Sequence, residues 1–197
     1  MLTKTQIKIM ELFTSKINER FSINQIANLL KKPYPLIHRS IKSLISEDFL
    51  IKDNKELLYL NYKSNLGELT YIETIRKNSI LAKDKILSLF LKDSLEKIHL
   101  LFPIILLFGS YMEKKSPRDI DILIIIDNSS KITEIEKTAR NIASNFTKDF
   151  DINVISIESA EEMISKRDKL NVMNETLNNH ILLFGAENYY KILKNAR

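Results

Sequence analysis

Five residues of this chain combine types and spacing that could do chemistry together: Gly109-Ser110 after the apolar run Ile104 to Phe108, Asp119 and Asp121 at the head of the run Ile120 to Ile126, and Asp151 opening the run Ile152 to Ile157. Side chains alternate faces along a strand, so the D-x-D pair points both carboxylates the same way. Carboxylate oxygens brought together in this manner suit shared divalent cations, while Ile120 and Ile122 turn to the core. A glycine turn lets the backbone approach a ligand closely, and a helix starting at Ser110 would aim free N–H groups at phosphate oxygens. The expected chemistry is that of a metal-dependent nucleotide-handling site.

From about residue 103 the pattern supplies elements to position such a site. Strands are expected over 104–108, 120–126 and 152–157. Thr133-x-x-Glu136 has the form of a capping box before a helix carrying Ile135, Ala139, Ile142 and Phe146, and Ser159-x-x-Glu162 opens the next helix by the same device. The end of the chain predicts a short apolar segment at Ile181 to Phe184, a turn at Gly185 and a last helix.

The first third reads differently. Helical spacing at Ile7, Met10, Phe13 and Ile17 predicts a helix capped by Thr3 or Thr5. Ser22-x-x-Gln25 is a capping box before a short second helix with Ile26, Ala27, Leu29 and Leu30. The break Lys31-Lys32-Pro33-Tyr34-Pro35 leads into a third helix with Ile37, Ile41, Leu44 and Ile45 on one face. Residues 49–52 and 57–60 then flank a polar tip as a hairpin. Between the two regions, about 66–102, apolar residues recur every three or four positions (Leu69, Ile72, Ile75, Leu87, Phe90, Leu91, Leu95, Ile98), predicting connecting helices whose apolar face could also form a homodimer seam.

Charge is distributed unevenly. The net charge is +5, and residues 1–65 carry 11 Lys and Arg against 6 Asp and Glu, whereas the rest is balanced. A local positive excess suits a nucleic-acid surface. The chain has no cysteine, which excludes a disulfide framework, a thiolate nucleophile and a thiolate zinc site. His38, His99 and His180 are too scattered to suggest a metal cluster. No apolar run is long enough to span a bilayer and the first residues lack the apolar core of a signal peptide, so no membrane partner and a cytoplasmic location are expected.

Two resemblances organise these readings. Three helices and a hairpin over residues 1–62 resemble a winged helix-turn-helix domain, in which the third helix enters the major groove and the hairpin is the wing. The resemblance implies DNA contacts from Tyr34, His38, Arg39 and Lys42 on the polar face of the third helix, and from Lys52 and Lys55 on the wing. Gly109-Ser110, Asp119-x-Asp121 and Asp151 together resemble the signature of the DNA polymerase β nucleotidyltransferase superfamily, in its minimal form, over about 103–193. That resemblance implies triphosphate binding by Gly109 and Ser110, two magnesium ions held by Asp119, Asp121 and Asp151, and transfer of a nucleoside monophosphate with loss of pyrophosphate. Many relatives have a glycine and a serine where Lys114 and Arg118 stand here, in a loop about two residues longer. Lys114, Lys115 and Arg118 are candidates to neutralise triphosphate charge.

The expected fold class is α+β: a winged helix-turn-helix domain (1–65), a helical connector (66–102) and a nucleotidyltransferase α/β domain with a mixed sheet (103–197). The expected function is magnesium-dependent transfer of AMP from ATP to a hydroxyl of a protein or other acceptor. Minimal relatives that act as antitoxins modify a partner toxin, which makes a toxin one candidate acceptor. The alternative is a DNA-binding transcriptional regulator whose second domain only senses a nucleotide.

Overall fold

A computed structural model describes residues 2–98, 103–112, 119–166 and 171–196. The fold is α+β with a mixed four-stranded sheet. Lys114, Lys115 and Arg118, and also His99, lie outside the described residues.

The N-terminal elements follow the expected order. Helix α1 (Lys4–Ser15) is capped by Thr3, whose hydroxyl accepts from the Gln6 backbone N–H at 3.3 Å while the Gln6 side-chain Oε1 accepts from the Thr3 N–H at 2.7 Å. Ser22 and Gln25 repeat this reciprocal pair at the start of α2 (Ile23–Leu30), satisfying two donors that a helix start otherwise leaves orphaned. Lys31 ends α2 in the left-handed conformation. Pro33 and Pro35 sit at the start of α3 (Tyr34–Ser46), where a missing N–H costs nothing. Strands β1 (Leu50–Lys52) and β2 (Leu58–Leu60) pair antiparallel, with Leu50 opposite Leu60. Asp53 shapes the hairpin tip by accepting the N–H groups of Lys55 and Leu57, each at 2.9 Å. Sequence reading missed one element: Phe21 bridges to Leu58, adding a third extended segment beside the hairpin. Of the apolar residues expected in the second helix, Ile26 and Ala27 are buried, whereas Leu29 is 56% exposed.

The larger sheet runs β5-β4-β3-β6, made of β3 (Ile104–Phe108), β4 (Asp119–Ile126), β5 (Asp149–Ser156) and β6 (Ile181–Phe184). Only β4 and β5 are parallel; β3 pairs antiparallel with both β4 and β6. The parallel pair requires a crossover, which α6 (Ile132–Ala143) provides. Strand alternation divides the core. Ile105, Leu107, Ile120, Ile122, Ile124, Ile152 and Val154 pack with α5 (Lys85–Lys97) and α6, as expected for Ile120 and Ile122. Leu106, Phe108, Leu123 and Ile125 face the opposite way, toward α7 (Ile157–Ser165), α8 (Val172–Asn178) and α9 (Ala186–Asn195).

Three local expectations need correction. Thr133 is not a cap: Asn128 accepts from the Ser130 N–H at 3.0 Å and starts a short 3-10 turn that runs directly into α6, so the helix is already under way at Ile132. Ser159 is not a cap either, since Ser156 accepts from its N–H at 3.2 Å and α7 begins at Ile157, a residue expected in the strand. Strand β5 begins at Asp149, which places Asp151 inside the strand rather than at its opening.

Helix α4 (Leu66–Leu81) joins the two regions. Leu69 and Ile72 are buried in the same cluster as Ile9 of α1 and Tyr190 of α9, and Leu87, Phe90, Leu91 and Ile98 are buried beneath the sheet. Much of the apolar stripe expected over 66–102 is therefore occupied within the chain. Glu73 and Arg76 of α4 are also buried, and sequence reading gave them no role. The Arg76 guanidinium meets Glu73 at 2.7 Å, the Thr14 hydroxyl of α1 at 3.3 Å and the His180 carbonyl ahead of β6. Tyr190 of α9 donates to Glu73 at 2.9 Å. Among the described residues no helix is long and apolar enough to cross a membrane.

Candidate functional site

Register and alternation bring the acidic residues to one end of one sheet face. Asp119 and Asp121 lie two apart on β4 and are both half-buried, and Asp121 stands beside Asp151 in the parallel ladder while Asp119 stands beside Asp149. Partners in such a register point to the same side, as the buried pair Ile122 and Ile152 does on the other face. Asp149 and Asp151 are exposed.

Phe108 pairs with Asp121, so the chain leaving β3 turns directly over that carboxylate. The turn opens as a 3-10 segment, Gly109–Met112, where a helix starting at Ser110 was expected. Gly109 has φ +67°, and a Cβ there would stand 2.2 Å from Asp121 Oδ2. Glycine is required both by the backbone conformation and by the closeness of the carboxylate. The Ser110 N–H donates to Asp121 Oδ2 at 3.2 Å and its hydroxyl donates to Asp119 Oδ1 at 3.4 Å. The donors expected to face phosphate are thus turned onto the carboxylates.

Partial burial, the adjacent Asp119 and the further charges of Asp151 and Glu175 raise the Asp121 carboxyl above its ordinary value, against the lowering effect of the Ser110 N–H. Like charges gathered this way are what a cation would relieve. Glu175, on α8, was not anticipated because nothing local in its sequence ties it to the D-x-D strand.

The fit to a divalent cation is partial. Asp119 and Asp121 supply hard oxygen donors of the right type, and the absence of a Cβ at Gly109 lets the Asp121 carboxylate seat against the turn. Among the described residues, however, no group of three His, Asp or Glu side chains is gathered closely enough to hold a metal ion. Asp151 shares the face of Asp119 and Asp121 without closing on them.

A second cluster backs the turn. Asp84 Oδ1 caps α5 by accepting from the Leu87 N–H at 3.1 Å, and Oδ2 accepts from the Tyr111 hydroxyl at 2.6 Å and from Lys148 Nζ at 2.8 Å. An Asp before Lys85-Ile86-Leu87 could have been read as a helix cap; its distant partners could not.

The six basic and aromatic candidates all lie on the surface of the N-terminal region. Tyr34, His38, Arg39 and Lys42 are exposed on α3, opposite the buried Ile37, Ile41 and Leu44. The Tyr34 and His38 rings stack with centroids 5.8 Å apart. Lys52 and Lys55 are exposed at the hairpin, where Lys52 pairs with Glu56. Arg20, absent from the expected set, joins this patch by an ion pair to Asp53 at 2.5 Å and by stacking over Tyr59.

No protein-family model, curated protein or solved structure matches the chain.

Proposed function

We propose that the chain is a nucleotidyltransferase that moves a nucleoside monophosphate, AMP from ATP, onto a hydroxyl of a protein or other acceptor, and that its N-terminal region binds DNA as a winged helix-turn-helix domain. The reading is carried by one observation: two carboxylates on one strand face lie against a glycine–serine turn, with Asp151 in register on the parallel neighbour. Asp119 and Asp121 would hold magnesium, with Asp151 as the third candidate. Bound there, magnesium would offset triphosphate charge and favour the deprotonated acceptor hydroxyl. Gly109, without a Cβ, lets the turn lie close against Asp121. Ser110 would exchange its two carboxylate partners for phosphate oxygens, since its N–H and hydroxyl already face Asp121 and Asp119. Lys114 and Arg118 are the cations the sequence offers to the triphosphate. Tyr34, His38, Arg39 and Lys42 would face the major groove, and Lys52 and Lys55 the backbone beside it.

A second reading, a transcriptional regulator that senses a nucleotide without transferring it, is favoured by the Ser110 donors being spent on Asp119 and Asp121 and by the separation of Asp151. The two are distinguished by incubating the chain with ATP, GTP, CTP and UTP labelled at the α-phosphate, magnesium and a cell extract. Label on an acceptor that disappears in Asp119→Asn and Asp121→Asn supports transfer. Nucleotide binding without label or pyrophosphate release, together with nucleotide-dependent DNA retardation, supports the regulator. Neither label nor nucleotide binding refutes both.

A further inference from the structure

We propose that Asp84 is a positioning residue for the candidate site, holding the Gly109–Met112 turn and the start of β5 at a fixed separation through Tyr111 and Lys148. This deepens the proposed function and rests on it for its effect on transfer.

The first argument is the division of labour on one side chain. Capping α5 uses Oδ1 alone, and a neutral asparagine caps a helix as well as aspartate does. The charge and the second oxygen are therefore free for other work, and both partners of Oδ2 come from far along the chain, 27 and 64 residues away. Tyr111 directly follows Ser110, whose N–H and hydroxyl reach Asp121 and Asp119. Lys148 directly precedes Asp149, which stands beside Asp119 two residues ahead of Asp151. One carboxylate thus touches the residue next to each half of the site.

The second argument is that the three groups are locked together. Asp84 is largely shielded from solvent, its side chain 10% exposed, and a shielded carboxylate is retained when its oxygens are bonded. Burial alone would push its carboxyl up, yet the hydrogen bonds from Lys148, Tyr111 and the Leu87 N–H and the Lys148 charge outweigh burial and hold it down to about 2. The Lys148 ammonium also lies 5.6 Å from the Tyr111 ring centroid, so the two partners contact each other as well as the hub. On the carboxylate side, among the described residues, the two Ser110 contacts described above hold the turn. The tie at Tyr111 fixes its other side, and ligand-contacting groups held by a supporting shell keep the sub-ångström placement that group transfer needs.

The test uses the full chain and the variants Tyr111→Phe, Asp84→Asn and Lys148→Met. Each keeps the packing of its side chain, and Asp84→Asn keeps the α5 cap. Hydrogen exchange is measured at the amides of Ser110, Tyr111 and Met112, and transfer of α-labelled AMP is followed as kcat and KM for magnesium ATP. The expected result is at least tenfold faster exchange at the turn in Tyr111→Phe and Asp84→Asn, with α5 and β5 protected as before. A fall in kcat of roughly tenfold or more with a smaller change in KM should accompany it, because misplacement acts on the transition state. Unchanged exchange at the turn overturns the proposal, as does faster exchange with kcat within twofold of the parent. If the parent neither binds nor transfers nucleotide while the exchange result holds, the enzymatic reading fails and the tether stands as a structural one.

Discussion

Gly109→Ala probes the contact on which the candidate site depends. The substituted residue would have to hold φ +67°, and its Cβ would lie 2.2 Å from Asp121 Oδ2, 2.7 Å from Cγ and 3.1 Å from Cβ. Because the aspartate Cβ is itself within reach, turning the carboxylate away does not clear the space, and the turn must lift or the strand must give. The left-handed backbone costs about 1–2 kcal/mol for a residue with a Cβ. Losing the Ser110 N–H bond to an ionised carboxylate costs about 1.5–3 kcal/mol, toward the lower end here because the pair is half-exposed. Together these predict a destabilisation of about 3 kcal/mol in urea unfolding, and misplacement of Asp121 by an ångström would lower transfer by roughly a hundredfold. Gly67→Ala is the control: nothing lies within 4 Å of its added Cβ, and its place in α4 makes alanine neutral or stabilising by up to about 1 kcal/mol. A Gly109→Ala protein within ~0.5 kcal/mol of the parent, the range of ordinary surface changes, with unaltered magnesium-dependent nucleotide binding would refute the reasoning.

Arg76→Leu leaves Glu73 buried without its cation, and urea unfolding should show a loss of about 3–5 kcal/mol. Adding Glu73→Gln to that variant should recover much of the loss; failure to recover any would mean the pair matters for packing rather than charge. His180 is fully buried, and desolvation and the Arg76 charge lower its imidazole pKa from 6.5 to about 3. Below pH 6.5 the unfolded chain takes up a proton that the folded chain refuses, so this residue withdraws stability as pH falls toward 3, by about 2 kcal/mol at pH 5. Unfolding free energies at pH 7 and pH 5 should therefore differ less in His180→Gln than in the parent, and equal differences would contradict the assignment. For the proposed DNA-binding surface, Arg39→Ala should reduce discrimination between duplex sequences, whereas Lys52→Ala should weaken all duplexes alike and make the salt dependence shallower. Gel retardation across a salt series reads both, and unchanged binding in both variants would remove α3 and the hairpin from the interface.

What was legible in the sequence was whatever a few neighbouring residues decide. Ser22 with Gln25 caps its helix because the box closes within four residues, and of the two caps the sequence offered at the first helix, Thr3 and Thr5, it is Thr3 that closes such a box, with Gln6. The shared face of Asp119 and Asp121 follows from alternation alone, and the turns at Gly109 and Gly185 follow from the rarity of glycine in a chain that has three. At Gly185 the reason also proved steric, since a Cβ would meet the Pro103 carbonyl oxygen at 2.3 Å. Where two local solutions compete, the pattern misled. Ser156 and Ser159 both precede helical spacing, and the ladder that pairs Ser156 with Ile126 decides that the strand ends and the cap forms there. Asp84, Glu73, Arg76 and Glu175 stayed illegible for a different reason: Glu73 and Arg76 pair locally, but what buries them, Tyr190, Thr14 and the His180 carbonyl, is distant in the chain, as are Tyr111 and Lys148 for Asp84 and Asp121 for Glu175, and a charged residue with a distant partner reads as a solvated one.

The placement of the acidic residues also constrains how the two regions could influence each other. The sheet face that bears Asp119 and Asp121 at one end continues through Leu123 and Ile125 into the cluster that includes Ile9 and Phe13 of α1 and Leu69 and Ile72 of α4. Separating the N-terminal helices from the sheet would expose that continuous apolar surface, at about 25 cal/mol per Å², and would strip Arg76 of Thr14. A wide hinge opening is therefore costly. Helix α4 itself spans the two regions: it packs on α1, β6 and α9, and Arg76 holds the His180 carbonyl just beyond α8, the helix that carries Glu175. Any coupling between the N-terminal region and Asp121 would have to pass through this packed α4, with the Arg76 tie to the His180 carbonyl as its link toward α8 and the Glu175 charge that Asp121 feels.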